Sequence, residues 1–468
     1  MAEWEPVIGL EIHVQLKTET KMFCRCRNGF GGGPNTQTCP VCLAFPGALP
    51  VPNRSAIEDT IKLGLALECT IAERAVFHRK NYFYPDNPKG YQISQYDEPL
   101  CTNGRMAVPG PDGDAEVGII RAHLEEDAAK TIHVGGATGR IVGAAHSNVD
   151  FNRGGTPLVE IVTQPDLRSA DEAKRFLQLL RQTIVELGIS DAEMEKGTLR
   201  ADANVSVRER GETGYRTRTE LKNMNSFNHI ARGIDAEIRR QIDLWESGGE
   251  VIQQTLDYEV KSDMVTPRRR KEEADDYRYF PEPDLVPIEP AGELVDRLTG
   301  ELPELPGARI RSLSDEIGFE SALELVATGN ERTARGLVEH GLDWPKAASV
   351  AMNELAGRQP LRENLSALVA IIQQRDRITR EAYQASFASS STTTINSDEV
   401  LAETAIADTS ELEPLVDRIL AASPAQVESY RGGKHGVLGF FVGQVMKETQ
   451  GKADPKIVNE LFRQKLDS

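Results

Sequence analysis

Four cysteines stand closest to a recognisable chemistry. Cys24-x-Cys26 and Cys39-Pro-Val-Cys42 form two close pairs, joined by twelve residues rich in Gly, Asn and Pro. Paired knuckles of this kind deliver four thiolates to a tetrahedral Zn²⁺ at little cost in chain entropy. Free thiols or a disulfide pair are the alternatives, and a reducing cell interior disfavours the disulfide. Such a centre is closed and structural, with no position open for catalysis. Cys69 and Cys101 stand alone and read as ordinary buried thiols.

A second set of residues suits a hard cation. Val7-Ile-Gly-Leu-Glu-Ile-His-Val-Gln-Leu16 alternates strictly, so Ile8, Leu10, Ile12, Val14 and Leu16 share one face of a strand. Glu11, His13 and Gln15 stand together on the other. Ile119–Asp127 puts Arg121, His123, Glu125 and Asp127 on one face; Leu199–Arg208 does the same with Arg200, Asp202, Asn204, Ser206 and Arg208. Arg216, Arg218, Glu220 and Lys222 form a fourth polar row. Glu11, His13, Glu125, Glu126 and Glu160 are the candidate ligands, since Mg²⁺ takes one or two carboxylates and reaches phosphate oxygens. Glu126 falls on the strand face opposite Glu125 and is the weaker candidate. Glu160 sits in the apolar run Thr156–Thr163, where a carboxylate needs either an ion or a partner such as Arg153 or Arg200. For His13 the plain alternative is a hydrogen-bonded structural histidine.

Other signals are informative by absence. The sequence holds no G-x-x-x-x-G-K-[ST] and no strand-linked G-x-G-x-x-G, so any ATP must be held by metal-bound carboxylates and basic side chains. There is no Gly-x-Ser-x-Gly elbow and no Gly/Ser-rich amidase run; Ser226 reads as a helix N-cap. Chemistry by metal and electrostatics fits better than a covalent nucleophile. The stretch Arg79–Tyr96, dense in aromatics, Lys and Gln, has the composition to stack bases, although such segments also build cores.

The elements that must position these residues follow from the rest of the chain. Its 468 residues allow two or three domains. No apolar run approaches the ~20 residues of a membrane span. The acidic start Met1-Ala-Glu-Trp-Glu5 lacks a secretory or transit pattern, so a cytoplasmic location is expected. A net charge of −18 disfavours non-specific nucleic-acid binding, yet residues 431–468 carry seven basic against four acidic side chains. Alternating segments run to about 280, Pro281–Pro290 is Pro-rich and extended, helical patterns follow, and Ser389–Thr394 reads as a flexible linker. The expected fold class is α+β: an antiparallel-sheet domain over 1–292 with a zinc-binding loop at 24–42, a helical domain over 293–395, and an all-helical tail over 396–468.

The chain resembles the B subunits of the GatCAB glutamyl/aspartyl-tRNA amidotransferase family. The resemblance is carried by Val7–Leu16, Arg79-Lys-Asn-Tyr-Phe-Tyr-Pro-Asp86, Gly90-Tyr-Gln-Ile-Ser-Gln-Tyr96 and His123-Leu-Glu-Glu-Asp127. Asp150-Phe-Asn-Arg-Gly-Gly-Thr-Pro-Leu-Val-Glu160, Leu199–Asn204, Glu220-Leu-Lys-Asn-Met-Asn-Ser226, Asp276–Pro283 and Gly439–Lys447 extend it along essentially the whole chain.

The resemblance implies a cradle domain with a kinase site, a helical domain and a tRNA-contacting tail. It implies ATP- and Mg²⁺-dependent phosphorylation of the side-chain carboxylate of Glu-tRNA(Gln), Asp-tRNA(Asn) or both, then amidation. Ammonia comes from the amidase, or A, subunit, while the small C subunit links the other two in a heterotrimer. The resemblance assigns His13, Glu125 and Glu160 to magnesium, with Glu11 close by, and Lys80, Arg200, Asn204, Ser206 and Lys222 to nucleotide or acyl-phosphate contacts. Many relatives lack the cysteine quartet, so structural zinc would brace the loop rather than serve the chemistry. Thr131–Val149 reads as a hairpin longer than in some relatives. Two other readings stay open: a zinc-bearing tRNA adaptor, and a stand-alone metal hydrolase using Glu11, His13 and Glu160.

Overall fold

The computed structural model describes residues 3–467 except 30, 112, 136–142, 270–276, 403–405 and 407–408. Asp276 and the centre of the 131–149 segment therefore lie outside the described residues. The chain divides into two compact units, residues 1–312 and 313–468.

Among the described residues the first unit is built on a nine-stranded sheet in the order β13 (Met264–Arg269), β12 (Thr255–Glu259), β11 (Thr219–Lys222), β10 (Leu199–Glu209), β1 (Trp4–Gln15), β9 (Pro157–Thr163), β6 (Ala115–Glu126), β5 (Cys101–Val108), β2 (Thr70–Ile71). Its centre is β1 (Trp4–Gln15), flanked by β9 (Pro157–Thr163) and β10 (Leu199–Glu209), with β6 (Ala115–Glu126) beyond β9. Ile8, Leu10, Ile12 and Val14 are almost completely buried, as the alternation requires. Helices α2 (Ala170–Glu186) and α3 (Phe227–Glu246) pack on each other, and α3 packs against β10. Ser226 caps α3 as expected, its Oγ accepting from the His229 N–H at 3.1 Å.

Among the described residues, neighbouring strands pair antiparallel with one exception. Strands β11 (Thr219–Lys222) and β12 (Thr255–Glu259) are parallel, because the 20-residue helix α3 carries the chain back to the same end of the sheet. A second sheet joins β3 (Phe77–Asn81), β4 (Tyr91–Gln95) and β14 (Phe280–Pro281) in the order β14-β3-β4. The Pro-rich segment after β14 turns back along this sheet: Ile288 bridges Ala75, and Arg79 grips Glu282 with two bonds of 2.7 and 2.8 Å. Strands β7 (Lys130–Val134) and β8 (His146–Asp150) pair as a two-stranded ribbon.

The second unit is helical. Residues 406–466 gather Val416, Phe441, Val445, Val458 and Phe462 into a hydrophobic cluster of their own. The Ser389–Thr394 segment, expected as a flexible linker, is instead a fastened turn. Asn364 is fully buried, and its Nδ2 donates to the Ser390 and Thr393 carbonyls at 2.7 and 2.8 Å. Its Oδ1 accepts from the Ile395 N–H at 2.8 Å. Serine and threonine composition suggested mobility, but one distant amide ties three backbone groups of this segment together, beside the turn's own bonds from the Thr392 and Thr393 N–H groups to the Ser389 carbonyl.

Replacing Asn364 by Ala removes these three bonds; the Ser390 carbonyl keeps the Leu361 N–H, while the partly buried Thr393 carbonyl and Ile395 N–H lose this partner, and the second unit should lose about 1–3 kcal/mol. Limited proteolysis should then cut within 389–396 before any other site in that unit. A cleavage pattern identical to wild type would show that the turn is held by something else.

Candidate active site and metal centre

The sheet register builds the site. Facing residues on adjacent strands run Arg200–His13–Glu160–His123 across β10, β1, β9 and β6. Glu11 lies one step along β1 opposite Asp202, and Glu125 one step along β6 from His123. All of them point away from the core face. His13 Nε2 is 3.5 Å from Glu160 and 3.6 Å from Glu125, and His123 Nε2 is 3.6 Å from Glu160. Two overlapping triads result: Glu11, His13 and Glu160, and His123, Glu125 and Glu160. Within each, one potential ligand atom per residue lies within 4.8 Å of the others.

This crowding shifts proton affinities. Burial disfavours an imidazolium at His13, but the hydrogen bond to Glu160 and the charges of Glu125, Glu160 and Glu11 outweigh it and raise its pKa to about 9. Burial lifts Glu125 to about 7, with the Glu160 charge adding to the effect. Burial drives His123 down to about 4, so this ring is neutral and available as a ligand. Glu11 is raised by burial and by Glu160.

A cavity of about 500 Å³ opens over the row, lined among others by Glu11, Lys80, His123, Glu125, Glu160 and Lys222. Strands β3 and β4 bring Lys80, Ser94 and Tyr96 to its wall. The Lys80 ammonium lies 4.7 Å from the centre of the Tyr277 ring, and Tyr96 stacks on Tyr279 at 4.3 Å. Lys222 reaches Asp202 at 2.6 Å and Glu220 at 3.4 Å. Asn204 and Ser206 line an adjoining cavity that shares Glu11, Arg121, Glu160 and Arg218 with the first. The buried Oδ1 of Asn204 has no hydrogen-bond partner.

Arg200 and Glu126 stand apart from this cluster of carboxylates and histidines. Arg200 turns to Asp127, at 3.2 Å, as does Arg153 at 3.4 Å, so neither pairs with Glu160. Glu126 lies on the other face, accepting from Lys89 and from the Ile93 N–H. His123 was legible on the polar face of its segment but not as a ligand, because only the register of β6 against β9 sets it beside Glu160. Arg218 was legible as part of the polar row at 216–222 but not as a cavity residue, and Tyr277 and Tyr279 carried no local signal for the site.

The cysteine quartet is brought together as its spacing requires. The sulfurs of Cys24, Cys26, Cys39 and Cys42 lie within 4.8 Å of one another, and all four are free thiols. Cys39 and Cys42 Sγ are 3.9 Å apart; four sulfurs at the Zn–S distance define a tetrahedron with edges of about 3.8 Å. The donor set fits zinc. A hydrogen bond from the Cys24 thiol, helped by the Cys39 N–H, overrides burial and holds the Cys42 thiol down at about 5. The intervening loop is fastened to the segment leading into β9: the Asn35 N–H donates to Asp150 at 2.9 Å, its Oδ1 accepts from the Phe151 N–H at 2.7 Å, and the Gln37 N–H donates to Asn152 at 2.8 Å.

Comparison with known proteins agrees along the whole chain. A family profile described as the GatB/GatE catalytic domain matches residues 6–296, and one described as the GatB domain matches residues 320–466. The chain is 45% identical to the aspartyl/glutamyl-tRNA(Asn/Gln) amidotransferase B subunit of Syntrophotalea carbinolica, covering 99% of each chain. It is 45% identical to the same protein of Chlorobium phaeobacteroides, again over 99% of each. Identity to that of Myxococcus xanthus is 42%, over 100% of this chain and 99% of the relative. With both domains matched in order, the chain belongs to the GatB family of aspartyl/glutamyl-tRNA(Asn/Gln) amidotransferase B subunits.

Proposed function

We propose that this chain uses ATP and Mg²⁺ to phosphorylate the side-chain carboxylate of Glu-tRNA(Gln), Asp-tRNA(Asn) or both, and that ammonia then converts it to the amide. The observation that carries the reading is the line of His13, Glu160 and His123, with Glu11 and Glu125 beside it, under a cavity edged by Lys80 and Lys222. The enzyme is a carbon–nitrogen ligase, active as a heterotrimer. The proposed partners are an A subunit that supplies ammonia and a small C subunit, and the cytoplasm is the compartment this reading implies.

The chemistry asks little of a nucleophile. A carboxylate resists ammonia because oxide is a poor leaving group. When the carboxylate oxygen attacks the γ-phosphorus, ADP departs; when ammonia attacks the acyl carbon, phosphate leaves and a proton is lost. Both steps depend on positioning and on neutralising oxygen charge. His13, Glu125 and Glu160 would hold Mg²⁺, with Glu11 and His123 at hand, and the ion would supply that neutralisation. Lys80 faces the same carboxylates, whose charges raise its pKa against the effect of burial, and keeps a full positive charge for phosphate oxygens. Lys222, Asn204 and Ser206 extend the polar wall for nucleotide or acyl phosphate. Arg200 supports the arrangement from outside by pairing with Asp127. The cysteine centre, loaded with structural Zn²⁺, would fix the loop that feeds β9.

The helical tail supports tRNA binding. Arg431, Lys434, Lys447, Lys452, Lys456 and Arg463 are all exposed around the 406–466 cluster. Among the described residues no helix is long and apolar enough to cross a membrane.

The complex with its partners, given γ-labelled ATP, Mg²⁺ and Glu-tRNA(Gln) without an ammonia source, should place label on the tRNA-bound glutamate. Glu125→Ala or Glu160→Gln should lower that signal on the order of 10²-fold or more while tRNA still binds. Label and amide formation unaffected by either change would sink this site. Absence of label in wild type, with added ammonia also yielding no amide, would leave the chain as an adaptor.

Proton linkage gives an independent check. An ion at this site must displace the proton of His13, held to about 9, and that of Glu125, near 7. Binding of Mn²⁺ as a probe should therefore tighten from about pH 6 to about pH 9, with protons released. Affinity flat across that range, with no release in calorimetry, would exclude both groups from the binding set.

A further inference from the structure

Lys21 is among the largest side chains the fold buries completely, at 1% exposure. Its ammonium hydrogen-bonds the Phe151 carbonyl at 3.1 Å and the Cys42 Sγ at 3.7 Å. No carboxylate pairs with it among the described residues. Its backbone N–H donates to the Cys26 carbonyl at 2.9 Å, so one residue touches both cysteine knuckles. Gly155, at a φ of +86°, packs directly over this contact: a Cβ there would meet Lys21 Cδ at 3.5 Å and Cys42 Cβ at 3.8 Å.

A buried ammonium without an anion is among the costliest arrangements in a protein interior. A carbonyl oxygen supplies a hydrogen bond but no charge. The remaining neighbour is a sulfur of the cysteine quartet, and four thiolates around one Zn²⁺ carry a surplus of negative charge. Each side therefore lacks what the other has. Groups that hydrogen-bond metal ligands set both the orientation and the retention of the ion.

We propose that Lys21 is the internal counter-ion of the four-cysteine zinc centre, holding the Cys42 sulfur as a charged ligand while the Phe151 carbonyl fixes the ammonium in place. This rests on the zinc reading above. Lys21 acts as a positioning residue: it touches neither substrate nor reacting atoms, and it joins the centre to the Asp150–Gly155 segment that enters β9.

The test uses the purified heterotrimer carrying wild-type chain, Lys21→Met, Lys21→Gln or Lys21→Arg. Zinc content would be measured by elemental analysis, and zinc release by transfer to a chromophoric chelator in excess. Lys21→Met and Lys21→Gln should release zinc at least about 10-fold faster than wild type, with Lys21→Arg closer to wild type. In the Co²⁺-substituted heterotrimer, the thiolate-to-metal charge-transfer bands should shift in the uncharged variants and hold in Lys21→Arg. Should Lys21→Met fail to assemble, Lys21→Gln decides, since it keeps a donor and removes only the charge. Zinc-loaded wild type with unchanged release from Lys21→Gln overturns this inference alone. A wild-type heterotrimer that neither contains nor takes up zinc overturns the zinc reading with it.

Discussion

The site depends on the pairing register of four strands. His13, Glu160 and His123 face one another only because β1, β9 and β6 are aligned as they are. A slip of one residue in any of them would turn its polar row into the core and expose Ile8, Leu10, Ile12 and Val14 or their equivalents. Hydrophobic packing on one face of the sheet thus sets the electrostatics of the other. The helices behind the sheet carry no site residue, yet they hold the alignment that the charges require. The same alignment makes the row costly. Partly dehydrated carboxylates stand beside one another, and without an ion their repulsion is relieved by holding a proton on His13.

Two supports keep this row from relaxing. On one side the cysteine loop is tied to Asp150, Phe151 and Asn152, just before the strand that carries Glu160. The Gly155 carbonyl accepts from the Met22 N–H at 2.7 Å, closing the same connection from the other direction. On the other side, Arg79 holds Glu282 bidentately and lies 4.2 Å from the Tyr91 ring centre. That grip pins β14 against β3, and Tyr277 and Tyr279 stand just ahead of it at the cavity wall. Both supports lie outside the reacting set and both act through backbone position.

Much of this was legible in the sequence because period-2 alternation states a strand's two faces outright. Val7–Leu16 named its core and polar faces residue by residue, and the cysteine spacing named its cluster. What stayed hidden depends on partners far apart in the chain. Arg200 and Arg153 looked equally suited to Glu160, but the register hands both to Asp127. His123 was placed on a face but not beside a carboxylate. The parallel junction of β11 and β12 needed the direction of α3, which alternation does not encode. Composition misled at Ser389–Thr394, where a buried amide 25 residues upstream of Ser389 supplies the order.

On the proposed reading the fold keeps two cation centres apart by ligand chemistry. Soft thiolates in a closed loop retain Zn²⁺ and have no affinity worth considering for Mg²⁺. The sheet row is less selective in itself: two imidazoles and three carboxylates would bind zinc more tightly than magnesium at equal concentration. Selectivity there has to come from availability and from openness. The cavity leaves space above the row for water and phosphate oxygens, which suits an ion that surrenders its waters reluctantly. A closed site of the same residues would hold zinc and stop turning over. The width of the cavity over Glu11, Glu125 and Glu160 is therefore as much a part of the metal site as the ligands beneath it.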